Sequence, residues 1–221
     1  MLDIIMLNVN GVKRIEKKPI GMKELFTIGH SNYSLDHFIG LLFAHRLSII
    51  ADVRSSPYSK YSPHFNKDVL DSALRNTDID YIFLGSELGA QRSEDYCYID
   101  GQAKYDRIAN LSTFQRGLEL ILQRVEYYRI ALMCSESDPI TCHRTILICR
   151  ELKRLCPDLK ITHILGDGAE EAQEMSEKRL ITLHKLQPEL FGDLTSTSDL
   201  IEKAYDLQAE KIAYKKVPVE A

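Results

Sequence analysis

Apolar residues along the chain follow two rhythms. Short continuous runs at 25–28, 49–53, 79–84, 130–134 and 159–165 read as buried strands. Between them, apolar positions recur at helical spacing. Leu35, Phe38, Ile39, Leu41 and Leu42 follow an N-cap at Ser34, and Val69, Leu70, Ala73 and Leu74 follow Asn66. Phe114, Leu118, Ile121, Leu122 and Val125 form a third amphipathic set, and Ile140, Ile146, Leu147, Leu152 and Leu155 a fourth. Asp138 and Pro139 predict the start of that fourth helix, because proline is favoured at the first helical position. Residues 96–110 lack a clear period and predict an excursion over the sheet edge with a short helix. Beyond Gly168 the pattern is helical and polar as far as Leu186 and breaks at Pro188. Ser198 predicts the cap of a last helix with Leu200, Ile201, Ala204, Tyr205 and Leu207 facing inward.

Strands alternating with helices imply parallel βαβ units, hence an α/β protein. The expectation is a single three-layer domain over 23–192 with a mainly parallel, Rossmann-like sheet. An N-terminal extension at 1–22 precedes it, and a C-terminal helical extension at 193–221 packs on it.

Composition narrows the function classes. With 221 residues and a net charge of -4, the chain can bury a full core and carries no global basic field to recruit nucleic acid or membrane. The apolar runs are too short to span a bilayer, and the mixed N-terminus lacks a secretory pattern. Five cysteines, an odd number scattered mostly through apolar patterns, fit reduced thiols and a cytoplasmic location rather than a disulfide framework.

The candidate chemistry lies where strand patterns stop. His30 and Ser31 follow the first strand, and Asp52, Arg54 and Ser55 end the second. Gly85, Gly89 and Gln91 follow the third, and Cys134, Ser135 and Glu136 the fourth. In a parallel sheet these ends share one edge, where ligands bind. A helix starting at Pro139 would aim the backbone N–H groups of residues 138–142 at that edge and suit an anion. Arg144 and Arg54 could add forks to the same anion, with Ser31 and His143 beside it. His30, Asp52 and Glu136 are acid/base candidates, and Cys134 and Cys142 candidate nucleophiles. Taken singly, each cysteine reads equally as a small buried hydrophobe.

Other chemistries fit less well. The separation of Cys134 from Arg144 is too wide for the tight anion cradle of a phosphatase or rhodanese loop. His30, Asp52, Cys134, Glu136, Cys142, His143 and His163 are all metal-ligand types, yet no Cys-x-x-Cys or His-x-x-x-His spacing occurs, so no metal set is assigned. No Gly-x-Gly-x-x-Gly turn follows the first strand, so a nicotinamide or flavin site is not expected and no cofactor is assigned. Tyr58, Lys60, Tyr61, His64 and Phe65 mix aromatic and basic groups in one loop, which could stack on a nucleic acid strand or form a packed lid.

The motifs taken together resemble the domain of unknown function 488 family. They are Thr27-Ile28-Gly29-His30-Ser31, Asp52-Val53-Arg54 with Pro57, Leu88-Gly89, Leu132-Met133-Cys134-Ser135-Glu136, and Asp138-Pro139 leading to Cys142-His143-Arg144. His163-Ile164-Leu165 and the segment from Ala209 to Tyr214 also match, so the resemblance covers residues 23–214. It departs after Gly89, where Ala90 stands in place of a further glycine. The resemblance implies a small α/β domain whose matched polar residues form the family's site, and some members are associated with DNA repair or modification. The leading expectation is an enzyme binding a small anionic or phosphorylated, nucleotide-like ligand. The rival is a nucleic-acid-binding accessory protein.

Overall fold

A computed structural model describes residues 21, 23–188 and 196–216. Of the expected extension at 1–22 all but Gly21 lies outside the described residues, as do 189–195 and 217–221. In chain order the elements are β1 (Glu24–Gly29), α1 (Leu35–Ala44), β2 (Ile49–Asp52), α2 (Lys67–Leu74), β3 (Asp80–Phe83) and α3 (Gly85–Leu88). Then come β4 (Tyr98–Ile99), β5 (Gln102–Ala103), α4 (Tyr105–Ala109), α5 (Ser112–Arg124) and β6 (Ile130–Cys134). A π-type turn (Arg144–Cys149) runs into α6 (Arg150–Leu155), followed by β7 (Lys160–Ile164), β8 (Glu170–Ala172), α7 (Gln173–Leu183) and α8 (Thr197–Ile212).

Six strands form one sheet in the order β3-β2-β6-β1-β7-β8, parallel except for the antiparallel edge strand β8. The central strands β1, β2 and β6 are buried along nearly their whole length because both faces of the sheet are covered there. Leu25, Ile49, Ala51, Ile130, Leu132 and Ile161 pack with Leu118, Ile121, Leu147 and Leu152 on one side. Phe26, Ile28, Ile50, Ala131 and Met133 pack with Phe38, Leu41, Leu42, Leu70 and Leu74 on the other. This is the three-layer α/β arrangement expected, with α8 added to the first side through Ala204 and Tyr205.

Several local expectations change. The polar stretch after Gly168 opens with β8, whose three residues pair with β7, before turning helical. The last helix is capped by Ser196, two residues earlier than expected, in a capping box with Asp199. Its inward position is Gln208, buried to donate 2.7 Å to the Ile140 carbonyl, while Leu207 is only half-buried. The region 96–110 holds the small hairpin β4–β5 and α4.

Topology fixes where a site can form. From β1 the chain leaves through α1, on the Phe38 and Leu42 side, toward β2. From the neighbouring β6 it leaves over the opposite face, through Leu147 and Leu152, toward β7. Adjacent parallel strands whose connections diverge in this way open a crevice at their carboxyl ends. The strand ends there are Gly29 and Cys134, which are register partners.

Candidate functional site

The loops leaving β1 and β6 are tied together by backbone. His30 N–H donates 2.9 Å to the Cys134 carbonyl, and Ser31 N–H donates 2.8 Å to the Ser135 carbonyl. Gly29 makes this approach feasible, because a Cβ there would stand 1.8 Å from the Glu136 carbonyl oxygen. Ser31 adopts φ 46°, a left-handed conformation uncommon outside glycine and often found at functional edges.

The segment after β6 departs from the expected helix. Asp138 Oδ1 accepts from Ile140 N–H at 3.2 Å, and Pro139–Thr141 form a single 3-10 turn. Cys142 is then extended (φ -125°, ψ 141°), and helical backbone resumes only at His143. Thr141 and Cys142 N–H groups bond inside the turn, to the Asp138 and Pro139 carbonyls. The cradle of free N–H groups expected over 138–142 therefore does not form. The extended residue instead folds the Cys142 side chain back toward Cys134.

Four side chains meet as a result. Cys134 Sγ donates to Glu136 Oε2 at 3.1 Å and lies 3.6 Å from His143 Nδ1. Cys142 Sγ lies 3.0 Å from the same Glu136 oxygen and 3.9 Å from His143 Nδ1. His143 Nε2 stands 3.1 Å from the Val53 carbonyl, which can only accept, so Nε2 carries a proton and Nδ1 faces both sulfurs. Both cysteines are buried, while Glu136 sits on an exposed loop with its carboxylate turned inward over them.

The electrostatics separate the two thiols. Burial opposes a Cys142 thiolate, but the Cys134 hydrogen bond, the Arg144 charge and His143 together bring its pKa well below the usual thiol range. Cys134 moves the opposite way, raised by its bond with Cys142 and by burial. The Glu136 pKa is raised by burial and by the neighbouring Cys142. Burial alone would lower the His143 pKa, and the bond and charge of Cys142 outweigh it, so it rises. Cys142 and His143 thus lean toward a thiolate–imidazolium pair.

Arg144 is fully buried beneath this cluster. Its guanidinium donates 2.6 Å to the Glu136 carbonyl, 3.1 Å to the Ser137 carbonyl and 3.3 Å to Thr27 Oγ1. Among the described residues no carboxylate is ion-paired with it. Thr27 passes the network on to His163 Nδ1 at 2.8 Å, and His163 Nε2 meets Gln173 Oε1 at 2.8 Å. Gln173 then donates to the Tyr205 hydroxyl on α8. Gln173 was not singled out from sequence, and Thr27 and Val53 entered only as members of matched motifs, with no role assigned to either. A threonine and a histidine interrupting buried apolar strands were the available signal, whereas a backbone carbonyl leaves none.

A second group lies beside the first. Asp52 is fully buried and holds Arg54 in a bidentate pair, 2.9 Å from Nε to Oδ1 and 2.6 Å from Nη2 to Oδ2. Tyr81 also donates to Oδ2 at 2.6 Å, and Arg54 donates to the Phe65 carbonyl at 2.8 Å. His30 Nδ1 donates to the Ser31 carbonyl at 2.8 Å, which leaves Nε2 to accept from Arg54 Nη1 at 3.2 Å. Its ring stacks on Phe65 at 4.3 Å between centroids. Burial, aided by the Arg54 charge, lowers the His30 pKa to about 4 and keeps it neutral. In the 57–65 loop Phe65 is core, while Tyr58 and Tyr61 are exposed with Lys60 5.6 Å from the Tyr61 ring centroid.

Among the described residues, Cys134, Cys142 and His143 are the group able to hold a metal ion, with donor atoms within 4.8 Å of one another. No helix among those residues is long and apolar enough to cross a membrane. No curated protein matches the chain, and no solved structure does. The family model described as Domain of unknown function DUF488 matches residues 34–150, more than half of the chain and the stretch that carries Asp52, Arg54, Cys134, Glu136, Cys142 and His143. The chain belongs to the DUF488 family.

Proposed function

We propose that the protein is an enzyme acting on a small anionic ligand, with Cys134, Glu136, Cys142 and His143 as its reactive centre. The observation that carries this reading is their convergence at the carboxyl ends of β1 and β6, where the connections diverge. Two sulfurs, a carboxylate and an imidazole within hydrogen-bond reach supply a nucleophile and acid/base groups together. The buried Arg144 charge, matched by no carboxylate among the described residues, gives the edge a fixed positive field that favours an anion such as a phosphorylated metabolite or nucleotide. Arg144 acts here through that field and through the loop it braces. Ser31, His30 and the Arg54–Asp52 pair shape the neighbouring wall. Five free thiols support a reducing compartment such as the cytosol.

A thermal-shift panel of nucleotides, sugar phosphates, phosphate and sulfate tests the reading on wild type, Cys142→Ser and His143→Gln. A ligand at a hundred times its dissociation constant adds about 2.7 kcal/mol of stability. Stabilisation of the wild type that both variants lose supports the centre. A ligand shift unchanged in both variants, or no shift from any compound, removes it.

A second reading, a nucleic-acid-binding accessory protein, rests on the exposed Tyr58 and Tyr61 beside Lys60. Its mark would be oligonucleotide binding that weakens steeply with added salt.

A further inference from the structure

We propose that Cys134 Sγ, Cys142 Sγ and His143 Nδ1 bind one zinc-class divalent cation, with Glu136 as a fourth, exchangeable ligand. The proposal deepens the enzyme reading above, since it assigns the reactive group at that same centre.

Three independent features of the molecule support it. The first is spacing. With Zn–S near 2.3 Å and Zn–N near 2.0 Å, a tetrahedral ion sets sulfur and nitrogen ligands roughly 3.6 Å apart. The two sulfurs stand 3.6 Å and 3.9 Å from His143 Nδ1, so an ion fits between them with little side-chain movement.

The second is orientation. A metal-binding histidine commonly gives its other ring N–H to a backbone carbonyl or a carboxylate, which fixes the ring and its tautomer. The His143 Nε2 bond to the Val53 carbonyl, at 3.1 Å, does this and aims Nδ1 at the sulfurs. Val53 lies just beyond β2, so the ring is held by the sheet rather than by its own loop.

The third is charge. Two thiolates and the Glu136 carboxylate would place three negative charges around one point, opposed nearby by the Arg144 guanidinium, which pairs with no carboxylate among the described residues. A divalent cation brings that set to neutrality. Without it, Cys134 and the Cys142–His143 pair must each retain a proton for the sulfurs to stay so close to the carboxylate. On binding, two protons leave to solvent: the Cys134 thiol proton and the one shared by Cys142 and His143. Two sulfur–metal bonds and one nitrogen–metal bond form, and no electron changes hands.

Thiolate and imidazole together select borderline-soft ions such as Zn²⁺ over Mg²⁺ or Ca²⁺. Glu136 differs from the other three ligands because it sits on an exposed loop, at the solvent side of a buried pair of sulfurs. An anionic ligand entering the crevice would replace this carboxylate on the ion, which supplies the open position that a catalytic site keeps and a structural one lacks.

The test uses reduced full-length protein. Metal content is measured after expression with added zinc. Chelator-stripped protein is then titrated with Co²⁺, whose thiolate charge-transfer and tetrahedral bands report the ligand set. One ion per chain, two protons released per ion, and loss of the thiolate bands in Cys134→Ser and Cys142→Ser are expected. His143→Ala should weaken binding, Glu136→Gln should keep both thiolate bands, and Cys156→Ser should bind as wild type does. Folded wild type without the cobalt bands would overturn the proposal, as would binding that survives in a Cys134→Ser/Cys142→Ser double variant. Repeating the ligand panel with and without Zn²⁺ separates the two readings. Anion stabilisation independent of the ion overturns the metal site and leaves the enzyme centre standing. A bound ion with no response to any anion does the reverse.

Discussion

The Arg144 guanidinium donates 2.6 Å to the Glu136 backbone carbonyl, reaching from the buried start of one helix to the loop that closes the reactive cluster. A second donor reaches the Ser137 carbonyl and a third the Thr27 hydroxyl. Arg144→Met keeps much of the volume and removes all three bonds. A buried acceptor left without a donor costs about 1–3 kcal/mol, and since Glu136 and Ser137 lie on an exposed loop where water can replace part of the loss, the variant should lose about 2 kcal/mol. The urea midpoint should fall with an unchanged slope. A loss below about 0.5 kcal/mol would mean that this guanidinium behaves as a solvent-exposed group.

Asp52 and Arg54 make the most deeply buried ion pair among the described residues, with side chains 0% and 5% exposed. Breaking a buried pair from one side strands the partner charge, at a cost of about 3–5 kcal/mol. Asp52→Asn should show a loss of that size by urea unfolding. Adding Arg54→Met to it should recover part of the loss, since the stranded charge is removed. If Asp52 were instead an idle base awaiting substrate, the single variant would unfold like wild type.

His163 makes stability depend on pH. It is fully buried between Thr27 and Gln173, and burial, with the Arg144 charge beside it, lowers its pKa from 6.5 to about 3. The unfolded chain therefore binds a proton in this window that the folded chain refuses. The stabilising contribution is complete above pH 6.5, falls as the pH drops, and is gone near pH 3. While the unfolded state holds that extra proton the slope is about 1.4 kcal/mol per pH unit. His163→Gln should flatten the unfolding free energy between pH 6 and 4 relative to wild type, whatever its absolute stability. Parallel curves for the two proteins would show that His163 titrates normally.

Gly29→Ala should damage the centre without touching any of its reactive atoms. Its added methyl would meet the Glu136 carbonyl at 1.8 Å and the Ser137 Cα at 3.1 Å, both backbone. Overpacking of this kind costs about 1–3 kcal/mol and displaces the loop. Calorimetry should record a lower Tm, and the rates at which Cys134 and Cys142 react with an alkylating reagent should rise as the loop opens. Unchanged Tm and thiol reactivity would show that the two loops can separate freely.

Much of this molecule is legible in the order of its residues, and the limits are physical. The apolar runs at 25–28, 49–53 and 130–134 could be read as strands because burial on both faces demands unbroken hydrophobicity. That regularity led to the parallel α/β class and placed His30, Asp52 and Cys134 on one edge. The antiparallel β8 escaped notice because a three-residue edge strand, Glu170–Ala172, carries no such demand. The sequence determined the residue types and the edge at which they gather, since both follow from local pattern and chain direction. Only the tertiary structure decided which of them touch. Cys142 turns toward Cys134 because one extended residue interrupts the expected helix. His143 is aimed by a carbonyl from β2's end, and the Arg144 guanidinium, expected to fork onto an anion, is instead buried and bonded to the loop carbonyls of Glu136 and Ser137. Such contacts depend on backbone atoms far away in the chain, and a backbone carbonyl leaves no mark on the pattern of side chains.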